Sequence, residues 1–326
     1  MPHVVVAGKL HPSGLAVLKT AQGFTFTHVE DVSEASYQPY LPEADAVVIR
    51  TQPMSATSIA MAAKLQIVSH HGVGYDAVDV AALNVRQIPL CIVSDVNSVS
   101  VAEHAMMLIL AAVKRLNLSD RAVRQGPWGW RNRLEQGEIA GKTLLILGYG
   151  RIGRHLARMA EAFGMKILAY DPWALTNGWP EGAAHPVSTL EEGLALADVI
   201  SVNLPKADRP VLGAPELAQM KPGVVIVNTA RGGIVDEAGL AAALASGQVG
   251  AAGIDVFDAE PPAADHPLLA FEQVILTPHT AGLTTEAAER MAVSSVQNVL
   301  DFFAGQLDPA LIVNKSALSR QKEPLK

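Results

Sequence analysis

Apolar residues along this chain concentrate in short segments. The first half carries them at Val4–Ala7, Phe24–Val29, Ala46–Arg50, Leu65–Ser69 and Ile88–Val93. The second half carries them at Thr143–Leu147, Lys166–Tyr170, Val199–Asn203, Val224–Asn228, Ala251–Phe257 and Val274–Thr277. Runs of this length read as strands buried on both faces, the pattern of parallel sheets. Helical spacing fills most of the intervals, so each half reads as an open α/β sheet. A long apolar helix, about Val101–Leu116, joins the halves, with Ser100 and Glu103 expected as a capping box at its start. A last helix, about Thr285–Phe303, is expected to return to the first domain and make it discontinuous. The stretch after Asn314 reads as a frayed tail.

Composition narrows the class. A chain of 326 residues is long enough for two domains, each with its own core. Hydrophobic residues make up 49% but aromatics only 5%, which suits buried strands rich in Ala and Val. A net charge of −7 argues against general nucleic-acid or anionic-membrane binding. The longest wholly apolar run, Ala105–Val113, is too short to span a bilayer, and the N-terminus lacks the pattern of a secretory leader. The single cysteine, Cys91, fits a reducing cytoplasm and reads as a small core residue rather than a catalytic thiol.

The most specific signal is Gly148-Tyr-Gly-Arg-Ile-Gly153, set between an apolar strand and a helical segment. Gly148 allows a tight turn, Gly150 lets the backbone approach a pyrophosphate, and Gly153 lets helix and sheet pack closely. Phosphates are then met by the helix N-terminus, beginning at Arg151 and Ile152. Asp171 closes the next strand roughly twenty residues on, where a carboxylate accepts the adenine-ribose hydroxyls. The same carboxylate repels the extra phosphate of NADP, so the pattern favours NAD. Six strand candidates in this half match the full dinucleotide-binding fold.

Three further segments lie at strand ends in the same half. In Asn228-Thr-Ala-Arg-Gly-Gly-Ile-Val-Asp-Glu237, Arg231 can clamp a substrate carboxylate with two parallel hydrogen bonds. A surface arginine paired with Asp236 or Glu237 is the equal alternative. In Gly253-Ile-Asp-Val-Phe-Asp-Ala-Glu-Pro-Pro262, Glu260 precedes two prolines on a stiffened loop and can hold an imidazole; a solvated acidic turn is the alternative. In Thr277-Pro-His-Thr-Ala-Gly282, His279 can exchange a proton with a substrate oxygen near neutral pH. A lone histidine there would be structural; Arg231 and Glu260 on the same sheet edge give it weight.

These motifs, in this order, resemble the D-isomer-specific 2-hydroxyacid dehydrogenases. The likeness covers nearly the whole chain, because the first half adds His71-Gly-Val-Gly-Tyr-Asp-Ala-Val-Asp79 and Asn97-Ser-Val-Ser-Val-Ala-Glu103. The resemblance implies a Rossmann NAD-binding domain inserted in a flavodoxin-like substrate domain, both doubly wound. The expected bounds are residues 1–98 for the first part of the substrate domain, 99–286 for the NAD-binding domain, and 287–326 for the returning segment. It implies His279 as general acid/base, Glu260 as the carboxylate that orients it, and Arg231 on the substrate carboxylate. By the same resemblance Val73, Gly74 and Asn97 contact substrate, Leu204, Pro205 and Ala230 line the cofactor site, and Asp255 meets the nicotinamide carboxamide. Domain closure would expel water, and a homodimer is expected.

Other features weigh less. Adjacent His70 and His71 make a poor chelate on a strand, so no metal site is expected. Trp128, Trp130, Arg131 and Arg133 read as a loop packed at a subunit interface or near the active-site mouth rather than a nucleic-acid surface, and Met106 and Met107 as core or dimer-interface residues. Two rivals stand beside the main reading. Ser100-Val-Ala-Glu-His104 resembles formate dehydrogenases, but that branch places a glutamine where Glu260 stands. An NAD(H)-sensing regulator similar to transcriptional corepressors would keep the same triad, although the chain has no long disordered segment. The length leaves no room for the regulatory domain of many phosphoglycerate dehydrogenases, which tilts the expectation away from feedback-regulated serine synthesis.

Overall fold

A computed structural model describes residues 1–319 and divides the chain into two compact units. One unit comprises Met1–Asn97 together with the segment from Thr285, the other Ser98–Thr284. Each contains one wholly parallel sheet.

The first unit has strands β1 (His3–Ala7), β2 (Thr25–Val29), β3 (Ala46–Ile49), β4 (Ile67–His70) and β5 (Leu90–Cys91), in the order β2-β1-β3-β4-β5. That is the flavodoxin-like order, with its switch point between β1 and β3. Val4–Val6 and Ala46–Ile49 are buried on both faces, which is why they read as continuous apolar runs. The helix Thr285–Phe303 covers one face through Ala292, Val296 and Val299. Ser69 donates from Oγ to the Ser295 carbonyl at 2.7 Å, and Asn298 Nδ2 donates to the Ile92 carbonyl at 3.1 Å. Gly14, on the helix Pro12–Thr20, has no room for a methyl: a Cβ there would stand 2.8 Å from the Ala292 carbonyl oxygen.

The second unit holds β6 (Thr143–Leu147), β7 (Lys166–Tyr170), β8 (His185–Pro186), β9 (Val199–Val202), β10 (Val224–Asn228), β11 (Val249–Ile254) and β12 (Val274–Leu276). Their order, β12-β11-β10-β9-β6-β7-β8, is the Rossmann arrangement extended by one strand, with its switch between β6 and β9. The helix Ser98–Val113 packs Ala105, Leu108 and Ile109 into one of the two cores beside this sheet.

Several expectations are corrected. The joining helix begins at Ser98, so Ser100 is not its cap; it lies in the first turn with Oγ 3.0 Å from Thr284 Oγ1. That helix stops at Val113, because Arg115 takes a left-handed conformation (φ 51°) before a separate helix, Leu116–Gln125. β5 pairs over two residues only, since Ile92 and Val93 give their N–H groups to Leu311 and Gly72 instead of a sheet neighbour. β11 starts two residues early and ends at Ile254, where the chain peels into the loop carrying Glu260. β8 has no apolar run to announce it, both residues being exposed. Lys315–Ser319 form a helical turn rather than a frayed tail, and the rest of that stretch lies outside the described residues.

Candidate active site

In a parallel sheet every strand ends on the same edge, and the candidate residues of the second unit gather at the C-terminal edge. After β6 the chain turns at Gly148 (φ 91°), where a Cβ would stand 2.6 Å from the Asn203 carbonyl oxygen. Gly150 caps the helix Arg151–Ala162, with nothing within 4 Å of where its Cβ would be. Gly153 faces back onto the turn, and a Cβ there would fall on the Gly148 carbonyl and lie 3.1 Å from Ile146 Cγ2. Arg151 is exposed and Ile152 half-buried at the start of this helix.

Asp171 ends β7 and ties two elements together. Its Oδ2 accepts the Tyr149 N–H at 2.9 Å, and its Oδ1 caps the helix Pro172–Asn177 through the Ala174 N–H at 3.0 Å. Leu204 and Pro205 follow β9, and Ala230 follows β10, its N–H donated to Asn228 Oδ1 at 3.0 Å. Two residues not singled out from sequence stand here as well. Asn203 Oδ1 and Thr229 Oγ1 are buried without a hydrogen-bond partner among the described residues, just beyond neighbouring strands β9 and β10. Open space at Gly150, an acid at the end of β7 and two unsatisfied polar atoms fit a dinucleotide along this edge. Asn203-Leu-Pro and Asn228-Thr-Ala, each a polar residue ending an apolar strand, were the available signal.

Farther along the edge the three catalytic candidates come from adjacent strands. His279 follows β12 in the left-handed region (φ 52°), a conformation that costs a non-glycine residue energy and needs external support. Its N–H donates to the Asp255 carbonyl at 2.8 Å. Its ring Nδ1 lies 2.7 Å from Glu260 Oε2, and Glu260 Oε1 accepts the Phe257 N–H at 3.1 Å. A carboxylate only accepts, so Nδ1 carries the hydrogen and Nε2 remains for a substrate. The two side chains are 50% and 38% exposed, so the pair is open to solvent.

Arg231 donates from Nη1 to the Ala230 carbonyl at 2.7 Å, and its own carbonyl accepts from Asn228 Nδ2 at 3.0 Å. Of the two acids weighed as its surface partners, Asp236 caps the helix Glu237–Ser246, and Glu237 bonds Asp258 N–H and His266. The Arg231 and Glu260 loops interlock at Gly232, where a Cβ would stand 2.6 Å from Asp258 N and closer still to the Phe257 carbonyl. Partial burial and then the Glu237 charge hold the Asp258 carboxyl above its usual range.

Asp255, expected at the nicotinamide, is wholly buried. Its Oδ1 accepts from Thr277 Oγ1 and, at 2.9 Å, from the Thr280 N–H, while Oδ2 accepts the Ala281 N–H at 3.0 Å. His104 Nε2 adds a contact at 3.0 Å to Thr277 Oγ1. Asp255 therefore anchors the loop that carries His279.

The substrate-side candidates belong to the first unit. Val73 and Gly74 lie in the loop after β4, where Val73 packs beside Val93 and Met291, and Asn97 is the last residue of the unit's first segment. His71, just before them, is buried, and that burial, followed by the Arg50 charge, pushes its imidazole down to about 4. Burial pushes the Cys91 thiol up to about 12, which makes it inert as a nucleophile.

Comparison with known proteins identifies the family. Residues 106–281 match the family model described as D-isomer specific 2-hydroxyacid dehydrogenase, NAD binding domain. The chain belongs to this family. It is 39% identical over 315 residues to the D-3-phosphoglycerate dehydrogenase of Mycobacterium tuberculosis, covering 95% of this chain and 58% of that one. The chain thus spans less than two thirds of the length of that relative. It is 35% identical to the glyoxylate reductase of Aeropyrum pernix, with 98% of each chain covered. Among solved structures, an NADPH-dependent glyoxylate/hydroxypyruvate reductase from Sinorhizobium meliloti superposes with a TM-score of 0.84 at 28% identity, covering 97% of this chain and 99% of that one. The NAD-dependent formate dehydrogenase of Staphylococcus aureus, solved with NAD, gives 0.83 at 28% identity and covers 94% and 97%. As in its family, the second unit is an NAD-binding domain. No helix among the described residues is long and apolar enough to cross a membrane.

Proposed function

We propose that this chain is an NAD-dependent dehydrogenase exchanging a hydride with C2 of a small D-2-hydroxy acid or 2-oxo acid. The observation that carries the reading is the 2.7 Å contact between His279 Nδ1 and Glu260 Oε2 on the edge that also bears Arg231. A bound nicotinamide supplies or accepts the hydride. In the reducing direction His279 gives the proton on Nε2 to the substrate oxygen, and in oxidation it takes that proton back. Glu260 holds the ring by Nδ1–H and stabilises its positive charge while both nitrogens are protonated. Arg231 grips the substrate carboxylate and so lowers the entropic barrier to a productive approach. Val73, Gly74 and Asn97 are proposed to contact substrate from the first unit.

Cofactor choice follows from charge. The Asp171 carboxylate favours the ribose hydroxyls of NAD and repels the phosphate of NADP. Glu260 favours a hydroxy-acid substrate over formate, because reduction of a 2-oxo acid needs a proton held on the histidine. We place the enzyme in the cytoplasm as a homodimer. The single buried cysteine supports the first, and the second is supported by the helix Leu116–Gln125, which buries no residue, beside an exposed Trp128. The experiment is His279→Ala: it should lose nearly all turnover while NADH still binds, read by fluorescence. Wild-type-like rates would remove His279 from the mechanism.

A further inference from the structure

A second histidine–carboxylate pair stands behind the first. Glu237 Oε1 accepts the Asp258 N–H at 2.9 Å, and its Oε2 lies 2.9 Å from His266 Nε2. The tautomer of His266 is set, because its Nδ1 accepts the Leu268 N–H at 3.3 Å and the hydrogen therefore sits on Nε2. The His266 ring also stands edge-on to Phe257, centroids 5.6 Å apart. Both side chains of the pair are largely buried, at 17% exposed for Glu237 and 14% for His266.

These bonds converge on one short loop. Glu260 fastens its own loop through the Phe257 N–H, and Glu237 fastens the next nitrogen, that of Asp258. Asp258 in turn lies against the Arg231 segment, its backbone nitrogen 2.6 Å from where a Gly232 Cβ would stand. We propose that Glu237, clamped by His266, is a positioning residue that fixes the Glu260 loop against the Arg231 segment. It thereby sets the direction from which Glu260 receives the His279 Nδ1–H. Without Glu237 the Asp258 nitrogen loses its acceptor, and the Glu260 carboxylate is tied to its own loop only through the Phe257 N–H. A largely buried pair with both carboxylate oxygens engaged is costly to keep unless its geometry is used.

The inference rests on the roles given above to Glu260 and His279, and its first test needs no turnover. Nitrogen NMR of the His279 ring should show the Nδ1–H tautomer in the wild type and its loss in Glu260→Ala. Glu237→Ala should move the ring toward the Glu260→Ala state; an unchanged tautomer overturns the proposal. In kinetics, Glu237→Ala should lower kcat on the order of tenfold, with NADH affinity and substrate KM nearly unchanged. In a Glu260→Ala background the same change should add nothing, whereas multiplied losses indicate an independent structural role and overturn it. Glu237→Gln, which still accepts from Asp258, should recover most of kcat. If Glu237→Ala does not fold, His266→Ala tests the clamp: a smaller loss with the same tautomer shift supports it, and neither effect refutes it. Failure of the wild type to reduce any 2-oxo acid would overturn the proposed function and still leave the tautomer comparison decisive.

Discussion

Gly232→Ala separates the interlocking of two loops from the chemistry of their side chains. The added methyl would stand 2.6 Å from Asp258 N and closer still to the Phe257 carbonyl. Ordinary contact distances are about 3.5 Å or more, so the loops must part by on the order of 1 Å. Neither obstacle is a flexible side-chain end; both are backbone. Arg231 rides on one loop and Glu260 on the other, so the parting moves the clamp away from the imidazole. A 1 Å misplacement costs on the order of a hundredfold in rate, which is about 2.7 kcal/mol of transition-state stabilisation. Overpacking should also remove about 1–3 kcal/mol of stability, a loss of several degrees in Tm for a unit of this size. Gly233→Ala is the comparator, since its methyl meets nothing nearer than 3.7 Å and only its φ of 78° is unfavourable. That variant carries a left-handed penalty of roughly 1–2 kcal/mol and should lose far less kcat/KM. Steady-state kinetics with the preferred acid and thermal melts read both quantities. A Gly232→Ala enzyme with kcat/KM near the wild-type value and an unchanged Tm would refute the interlocking.

Other perturbations have definite outcomes. Arg231→Ala should raise the substrate KM at least tenfold, the loss of a charge-assisted pair, and lower kcat as well; an unchanged KM would remove the carboxylate clamp. Asp171→Asn keeps the helix cap on Ala174 but removes the charge, so NADPH should gain on the order of tenfold or more relative to NADH; an unmoved ratio would assign selectivity elsewhere. The His71 imidazole titrates at 6.5 when solvated but at about 4 in the fold. The unfolded chain therefore takes up the proton first as pH falls, costing on the order of 2 kcal/mol of stability at pH 5 and more toward pH 4. His71→Asn should flatten the fall in Tm over that window, and an identical pH slope in the variant would show that His71 does not cause it.

What the sequence reveals depends on whether the cause is local. Val4–Ala7, Ala46–Ile49 and Thr143–Leu147 are legible because strands of a parallel sheet are apolar on both faces. The glycine turn is legible because Gly148 and Gly153 answer to contacts within a few residues or across one strand. His185–Pro186 pair at the sheet edge with no apolar signature, and Ser100 and Glu103 imitate a cap three residues inside a helix that has already begun. Asp255 has the motif position of a ligand-binding acid, yet its burial and its bonds to the 277–281 loop exist only once β11 and β12 are side by side. The Glu237–His266 pair is invisible for the same reason, because neither residue sits in a recognisable spacing with the other.

The central claim is reached most directly by following NADH consumption by the wild-type protein against glyoxylate, hydroxypyruvate, pyruvate, phenylpyruvate, 2-oxoglutarate and phosphohydroxypyruvate, and then determining the configuration of the product. Turnover of at least one acid, with NADH preferred over NADPH and a D-configured product wherever C2 becomes chiral, is the expected result. NADH binding with no acid reduced, or formation of the L-isomer, would contradict it.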